Sequence, residues 1–158
     1  MTPTLDLNGY PLDPYGEVIP RLAQASSWIS PGELLADHSF DASVDVGGWD
    51  QSAKMRGRNY TFLLLDDVPW IPDPDAVHML GIRVASMVDG GQRVVVNCAA
   101  GLNRSGLIVG RALIALGHEP TEAIELIRAA RGPRALFNRT FEAFLLERCS
   151  PSRGNRVA

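Results

Sequence analysis

No stretch of the 158 residues is long and apolar enough to span a bilayer, which takes about 20 consecutive apolar residues. Neither sign of charge dominates: 15 Lys and Arg stand against 18 Asp and Glu. The formal net charge of −3 gives no global positive field to draw nucleic acid. Cysteine is nearly absent, with only Cys98 and Cys149. That excludes a disulfide-stapled scaffold and fits free thiols in a cytoplasmic chain. His38, His78 and His118 lie far apart. None has a Cys or a second His at metal-ligand spacing, so the sequence offers no metal site. The opening "MTPTLDLNGYPLDPYG" lacks the basic-then-apolar pattern of a secretory leader.

With 46% hydrophobic and 21% charged residues, the chain has the balance of one globular domain with its own core. That domain is expected over 1–150, with an irregular Pro- and Gly-rich arm over 1–17 and a disordered tail over 151–158. "VIPRLAQASSWIS" reads as one or two short strands, with Trp28 expected in the core. "SPGELLADHSF" reads as a short helix with Ser30 at its N-cap and Pro31 at its first position. Val44 and Val46 alternate in "DASVDVGGWD", a strand running into a glycine pair. "YTFLLLDD" is a further short apolar run. Asp73 and Pro74 open a helix whose stripe is Val77, Leu80, Val84 and Met87, closed by Gly90-Gly91.

"RVVVN" is β-branched with apolar residues on both faces, as in the middle of a parallel sheet. A helix from about Arg104 to Leu116 is apolar nearly all round, and Gly106 and Gly110 let it pack closely. "PTEAIELIRAAR" and "NRTFEAFLLERC" read as two more helices. Strands alternating with helices predict an α/β domain. Its central, mostly parallel sheet of about four or five strands carries helices on both faces.

In such sheets ligands bind where strand carboxyl ends meet helix N-termini. "VVVNCAAGLNRSGLIVG" crosses that place. Ala99, Ala100, Gly101, Leu102 and Asn103 must turn the backbone through nearly a full circle. With mostly small residues there, successive N–H groups can point inward as an anion site, reinforced by the helix that follows. Arg104 adds a planar fork that matches two phosphate oxygens. Cys98 sits at the centre of this field, an environment that lowers a thiol pKa from ~8.5 into the range ~3.5–7.5. Ser105 can hydrogen-bond the sulfur.

These residues resemble the signature loop of the cysteine-dependent protein tyrosine phosphatases, and the chain's compactness resembles their dual-specificity branch. The match is carried by Cys98, Gly101, Arg104 and Ser105. "FDASVDVGG", "LLLDDVPWIPDPD", "PTEAIELIRAARG" and "FNRTF" fall in the family's order, over roughly residues 18–148. The resemblance implies a phosphotyrosine-phosphatase-like fold and a metal-independent, cofactor-free hydrolysis of phosphomonoesters through a phosphocysteine. Cys98 would be the nucleophile, residues 99–104 the phosphate cradle, and Asp67, ahead of Asp66, the general acid. The substrate implied is a phosphotyrosine protein, extending to phosphoserine and phosphothreonine, or a small monophosphate. No nucleic-acid or membrane partner is expected. Asn97 departs from the pattern, which has His there. It can hydrogen-bond but cannot carry charge, so Cys98 is expected to stay reactive without that histidine's help.

Trp49 and Trp70 could each wall an aromatic phosphoester or anchor their own loop. Lys54, Arg56 and Arg58 fit a solvated charge run. The loop interior has no Lys or Arg, against a polyanionic substrate. Arg128, Arg131 and Arg134 suit the dipole at a helix end. Asn138 suits a helix N-cap or a water-orienting role, and Cys149 is expected to be inert. Two alternatives stay open: a phosphate-binding pseudophosphatase, and a cysteine enzyme of sulfurtransferase or arsenate-reductase type.

Overall fold

The structure, a computed structural model, describes residues 2–47 and 49–149. The expected tail over 151–158 and Gly48 of the glycine pair lie outside the described residues. Five strands form one sheet in the order β1-β2-β5-β3-β4. They are β1 (Tyr15–Ile19), β2 (Leu22–Ser26), β3 (Ala42–Asp45), β4 (Tyr60–Phe62) and β5 (Val94–Cys98). Only β1 runs antiparallel, joined to β2 by a tight turn; β2, β5, β3 and β4 are parallel. The helices are α1 (Pro31–Asp37), α2 (Pro74–Asp89), α3 (Arg104–Ala115), α4 (Pro120–Arg131) and α5 (Arg139–Arg148). This is the α/β domain that the alternation of elements predicts.

The central strand β5 is buried at every position. Val94 and Val96 enter the larger core with Leu107, Ile108, Val84 and Phe141, under α2 to α5. Val95 enters a smaller one with Ala23, Ala25, Leu34 and Phe40, under α1. Burying each valine stabilises by about 1.5–3 kcal/mol, so the strand is fixed from both sides. Helix α1 starts on a capping box, in which Ser30 and Glu33 each satisfy the other's backbone N–H. Helix α2 starts on Asp73, whose side chain accepts from the Ala76 N–H at 3.1 Å. Gly106 and Gly110 allow the close packing expected of them: a Cβ at Gly106 would lie 3.0 Å from Leu136.

Several expectations change. The arm is shorter than 1–17, because Tyr15 to Ile19 pair with β2; its Leu5 and Pro11 form an isolated bridge. Trp28 is 68% exposed rather than in the core. Strand β2 stops at Ser26, and Ile29 fills the core position instead. In "YTFLLLDD" only Tyr60–Phe62 is strand. Met87 is only partly buried. No described helix is long and apolar enough to cross a membrane.

Candidate active site

The parallel register sets Ser26 beside Cys98 and Asp45 beside Asn97. The carboxyl ends of β2, β5 and β3 therefore finish together, and the turn from Cys98 to Arg104 closes over them. Four of its carbonyls are held by hydrogen bonds. The Ala99 carbonyl accepts from the Ser27 N–H and hydroxyl, at 3.0 and 3.1 Å. That of Gly101 accepts from Gln24 Nε2 and Arg131 Nε, at 2.9 and 3.2 Å. That of Leu102 accepts from Gln24 and the Leu136 N–H, and that of Asn103 from the Leu107 N–H.

In a trans peptide the carbonyl and the next residue's N–H point in opposite directions. Each carbonyl tied to the scaffold therefore turns the following N–H toward the inside of the turn. Among the described residues, none of the amides from Ala99 to Asn103 donates a hydrogen bond. Unpaired amides turned inward, with a helix N-terminus behind them, can form a nest for an anion. Gly101 makes the turn possible: its φ is +68°, and a Cβ would stand 2.7 Å from the backbone of Ala25 and Ser26.

Cys98 lies at the floor, 2% exposed, and its Sγ–H donates to Ser105 Oγ at 3.2 Å. Once the thiol ionises, the same hydroxyl can donate to the sulfur. Arg104, half-buried at the start of α3, donates from Nη1 to the Leu65 carbonyl at 3.3 Å. Its guanidinium passes so close to Gly47 that a Cβ there would overlap it. The other cysteine differs in kind. Cys149 is buried, and burial pushes its thiol pKa up against the opposing pull of Arg111 and Arg148.

Of the two candidate acids, Asp67 is the one tied to the loop. Its Oδ2 accepts from Asn103 Nδ2 at 2.9 Å and its Oδ1 from Asn138 Nδ2 at 2.8 Å. The Asn103 Oδ1 in turn accepts from the Asn138 backbone N–H at 2.9 Å. Both aspartates are exposed, but among the described residues Asp66 makes no such link. Each Asp67 oxygen keeps a lone pair beyond its amide bond. Asn138 also caps α5, accepting from the Thr140 and Phe141 N–H groups through Oδ1. The two ends of one amide therefore do different work.

The sequence did not point to Gln24, Ser27 or Gly47. Arg131 it placed at a helix end for the dipole; it does stand in the last turn of α4, and the structure adds a second role. Arg131 is fully buried, and its guanidinium reaches the Gly101 and Asp13 carbonyls. A signal was present: Arg131 falls four after Ile127 and is one of the four buried residues of α4. A charge on a helix's apolar stripe calls for a buried partner. Arg134 lies beyond α4 and holds the arm through the Asn8 carbonyl and the Tyr10 ring. Trp49 and Trp70 are 84% and 60% exposed, which removes the reading of them as core anchors. With Trp28 they follow β2, β3 and the Asp67 turn, on the carboxyl side of the sheet.

No family model matches the sequence, and no curated protein does. Solved structures do match in fold. The chain is similar to human DUSP28, with a TM-score of 0.68 at 23% identity over 92% of this chain and 94% of that one. It is similar to Tk-PTP in its active form, with a TM-score of 0.69 at 21% identity over 87% and 96%. It is also similar to a human tyrosine phosphatase-like serine/threonine/tyrosine-interacting protein, with a TM-score of 0.67 at 18% identity over 85% and 94%. At these identities the likeness is one of fold: the chain folds as the dual specificity phosphatases do.

Proposed function

We propose that this chain, built on the dual specificity phosphatase fold, hydrolyses phosphomonoesters through a phosphocysteine. The observation that carries the reading is the nest itself: unpaired amides from Ala99 to Asn103 above a buried Cys98 that is bonded to Ser105. The phosphoryl oxygens take the amide N–H groups and the Arg104 fork. Cys98, having lost its thiol proton to solvent, attacks phosphorus as the thiolate; the S–P bond forms as the ester P–O bond breaks. Asp67 gives its proton to the leaving oxygen. Water then attacks phosphorus and loses a proton to Asp67, and the S–P bond breaks. The Ser105 hydroxyl stabilises the departing thiolate, and inorganic phosphate leaves. Such acid–base help is worth typically ~10²–10⁴-fold, and a preorganised donor array stabilises the transition-state charge further.

The substrate class we propose is an aryl phosphomonoester such as phosphotyrosine in a protein, with phosphoserine and phosphothreonine or a small monophosphate also accepted. The exposed tryptophans on the carboxyl side of the sheet suit an aromatic ester. Turnover of p-nitrophenyl phosphate in the presence of a chelator, and its inhibition by vanadate, test the reading. Cys98→Ser is expected to fall to background and Arg104→Ala nearly so. Near wild-type turnover in Cys98→Ser would overturn the mechanism. On a poor leaving group, Asp67→Asn loses rate and Asp66→Asn keeps it; the reverse result reassigns the acid.

One observation favours a second reading, recognition of phosphorylated partners without turnover. Asn97 stands where the resembling family has His, and its Oδ1 is buried with no hydrogen-bond partner among the described residues. Binding of a phosphotyrosine peptide by wild-type protein that hydrolyses neither the peptide nor p-nitrophenyl phosphate would establish it.

A further inference from the structure

Gly101 is gripped from two sides. Gln24 reaches its carbonyl from β2 and Arg131 reaches it from α4, at 2.9 and 3.2 Å. Neither residue belongs to the loop, and both are fully buried. The peptide plane they hold is the one that carries the Leu102 N–H, so fixing the carbonyl outward fixes that donor inward.

Arg131 is an odd residue to bury for stability alone. Among the described residues no carboxylate hydrogen-bonds it; the Asp13 charge acts on it only through space. Its partners are the Gly101 and Asp13 carbonyls, the latter at 2.9 Å from Nη1. Its Nη2 is buried with no partner among the described residues. Burial pulls its pKa down to about 10, against the opposing pull of Cys98 and Asp13, so it is still a cation at neutral pH. A buried cation held by neutral acceptors costs more than a well-packed apolar side chain of its size.

We propose that Arg131 and Gln24 are positioning residues of the anion nest, a two-sided clamp on the Gly101 carbonyl that keeps the Leu102 amide turned toward a bound oxyanion. The clamp rests on the hydrolase reading only for the identity of that oxyanion. The hydrogen bond from Arg131 to the Asp13 carbonyl links the clamp to the N-terminal arm.

The test measures tungstate binding by calorimetry, p-nitrophenyl phosphate turnover and melting temperature. It uses the full chain and the variants Arg131→Met, Arg131→Lys, Gln24→Met and Val88→Ala. Arg131→Met is expected to weaken tungstate about 10- to 100-fold and to lower kcat alike, somewhat less than the loss of a whole preorganised donor. Arg131→Lys, with the charge but not the fork, recovers part of both. Gln24→Met loses about 3- to 10-fold, on the scale of one hydrogen bond. Val88→Ala, a core truncation in α2 away from the loop, lowers the melting temperature and leaves tungstate affinity within twofold.

Tungstate affinity within twofold of wild type in both Arg131→Met and Gln24→Met would overturn the clamp. Should Arg131→Met not fold, unchanged affinity in Arg131→Lys and Gln24→Met overturns it equally. Wild-type protein that binds tungstate without turnover, with the expected losses in the variants, removes the hydrolase reading and keeps the clamp. Wild-type protein that binds no tungstate overturns both.

Discussion

Asn138 offers the sharpest perturbation, because its two amide atoms can be separated. Oδ1 caps α5 by accepting from Thr140 and Phe141; Nδ2 tethers Asp67 and the Val68 carbonyl, at 2.8 and 2.9 Å. Asn138→Asp keeps the capping oxygen and removes the tether. Asn138→Ala removes both. Loss of a cap costs about 1 kcal/mol, and loss of two partly exposed donor bonds about 1 kcal/mol more. For a chain of this length each kcal/mol moves the melting temperature by about 2–4 °C. Asn138→Ala is therefore expected to melt about 4–8 °C lower and Asn138→Asp about half as far. Activity should divide differently, since both variants leave Asp67 held by Asn103 alone. Both should lose about tenfold on phenyl phosphate, a fraction of the full general-acid contribution, and less on p-nitrophenyl phosphate, whose leaving group needs little proton. Calorimetric melting and steady-state kinetics on the two esters provide the assay. If Asn138→Asp keeps full activity on phenyl phosphate while Asn138→Ala loses it, rate follows the cap and the tether is refuted.

Gly101→Ala meets backbone at 2.7 Å and a φ of +68°; a strain of about 2–4 kcal/mol should distort the nest. Vanadate inhibition should weaken more than 10-fold, measured alongside the melting temperature, and an unchanged inhibition constant contradicts the geometry. Asn97→His should raise the rate of Cys98 alkylation by iodoacetamide a few-fold in a pH series; identical curves and kinetics would mean that Asn97 substitutes fully. Burial pushes the Tyr60 pKa up to about 12, with Asp45 beside it. Its folded value lies above the unfolded value of 10.0, so its contribution to stability is complete below pH 10 and is lost as pH rises toward 12. Melting temperature should fall across that window, and Tyr60→Phe should flatten the fall.

What the sequence made legible was local. Cys98, Arg104 and Ser105 could be placed because a β-branched strand, a run of small residues and an apolar helix each announce themselves within a few positions. The helix starts at Ser30 and Asp73 were visible for the same reason, because capping is chemistry between neighbours, and Pro120 marked α4 as a first-position proline. The parts that hold the loop come from 30 to 78 residues away, as with Arg131 and Gln24, and short-range patterns cannot show such pairings. Trp28 was misplaced because a strand's end is set by its partner's register with Cys98, not by its own composition. Asn138 was read as a cap, which it is; its second bond depends on where the Asp67 turn returns.

The unpaired amides from Ala99 to Asn103 carry a practical corollary for anyone purifying this protein. A site that binds oxyanions only when folded couples the unfolding equilibrium to the solution's anions, adding RT ln(1 + [L]/Kd) to stability, about 2.7 kcal/mol at a hundredfold excess over Kd. Phosphate or sulfate in the buffer would then act as a silent ligand. Melting curves in phosphate would describe a complex, curves in a zwitterionic amine buffer the free fold, and the gap between them would itself be a titration of the nest.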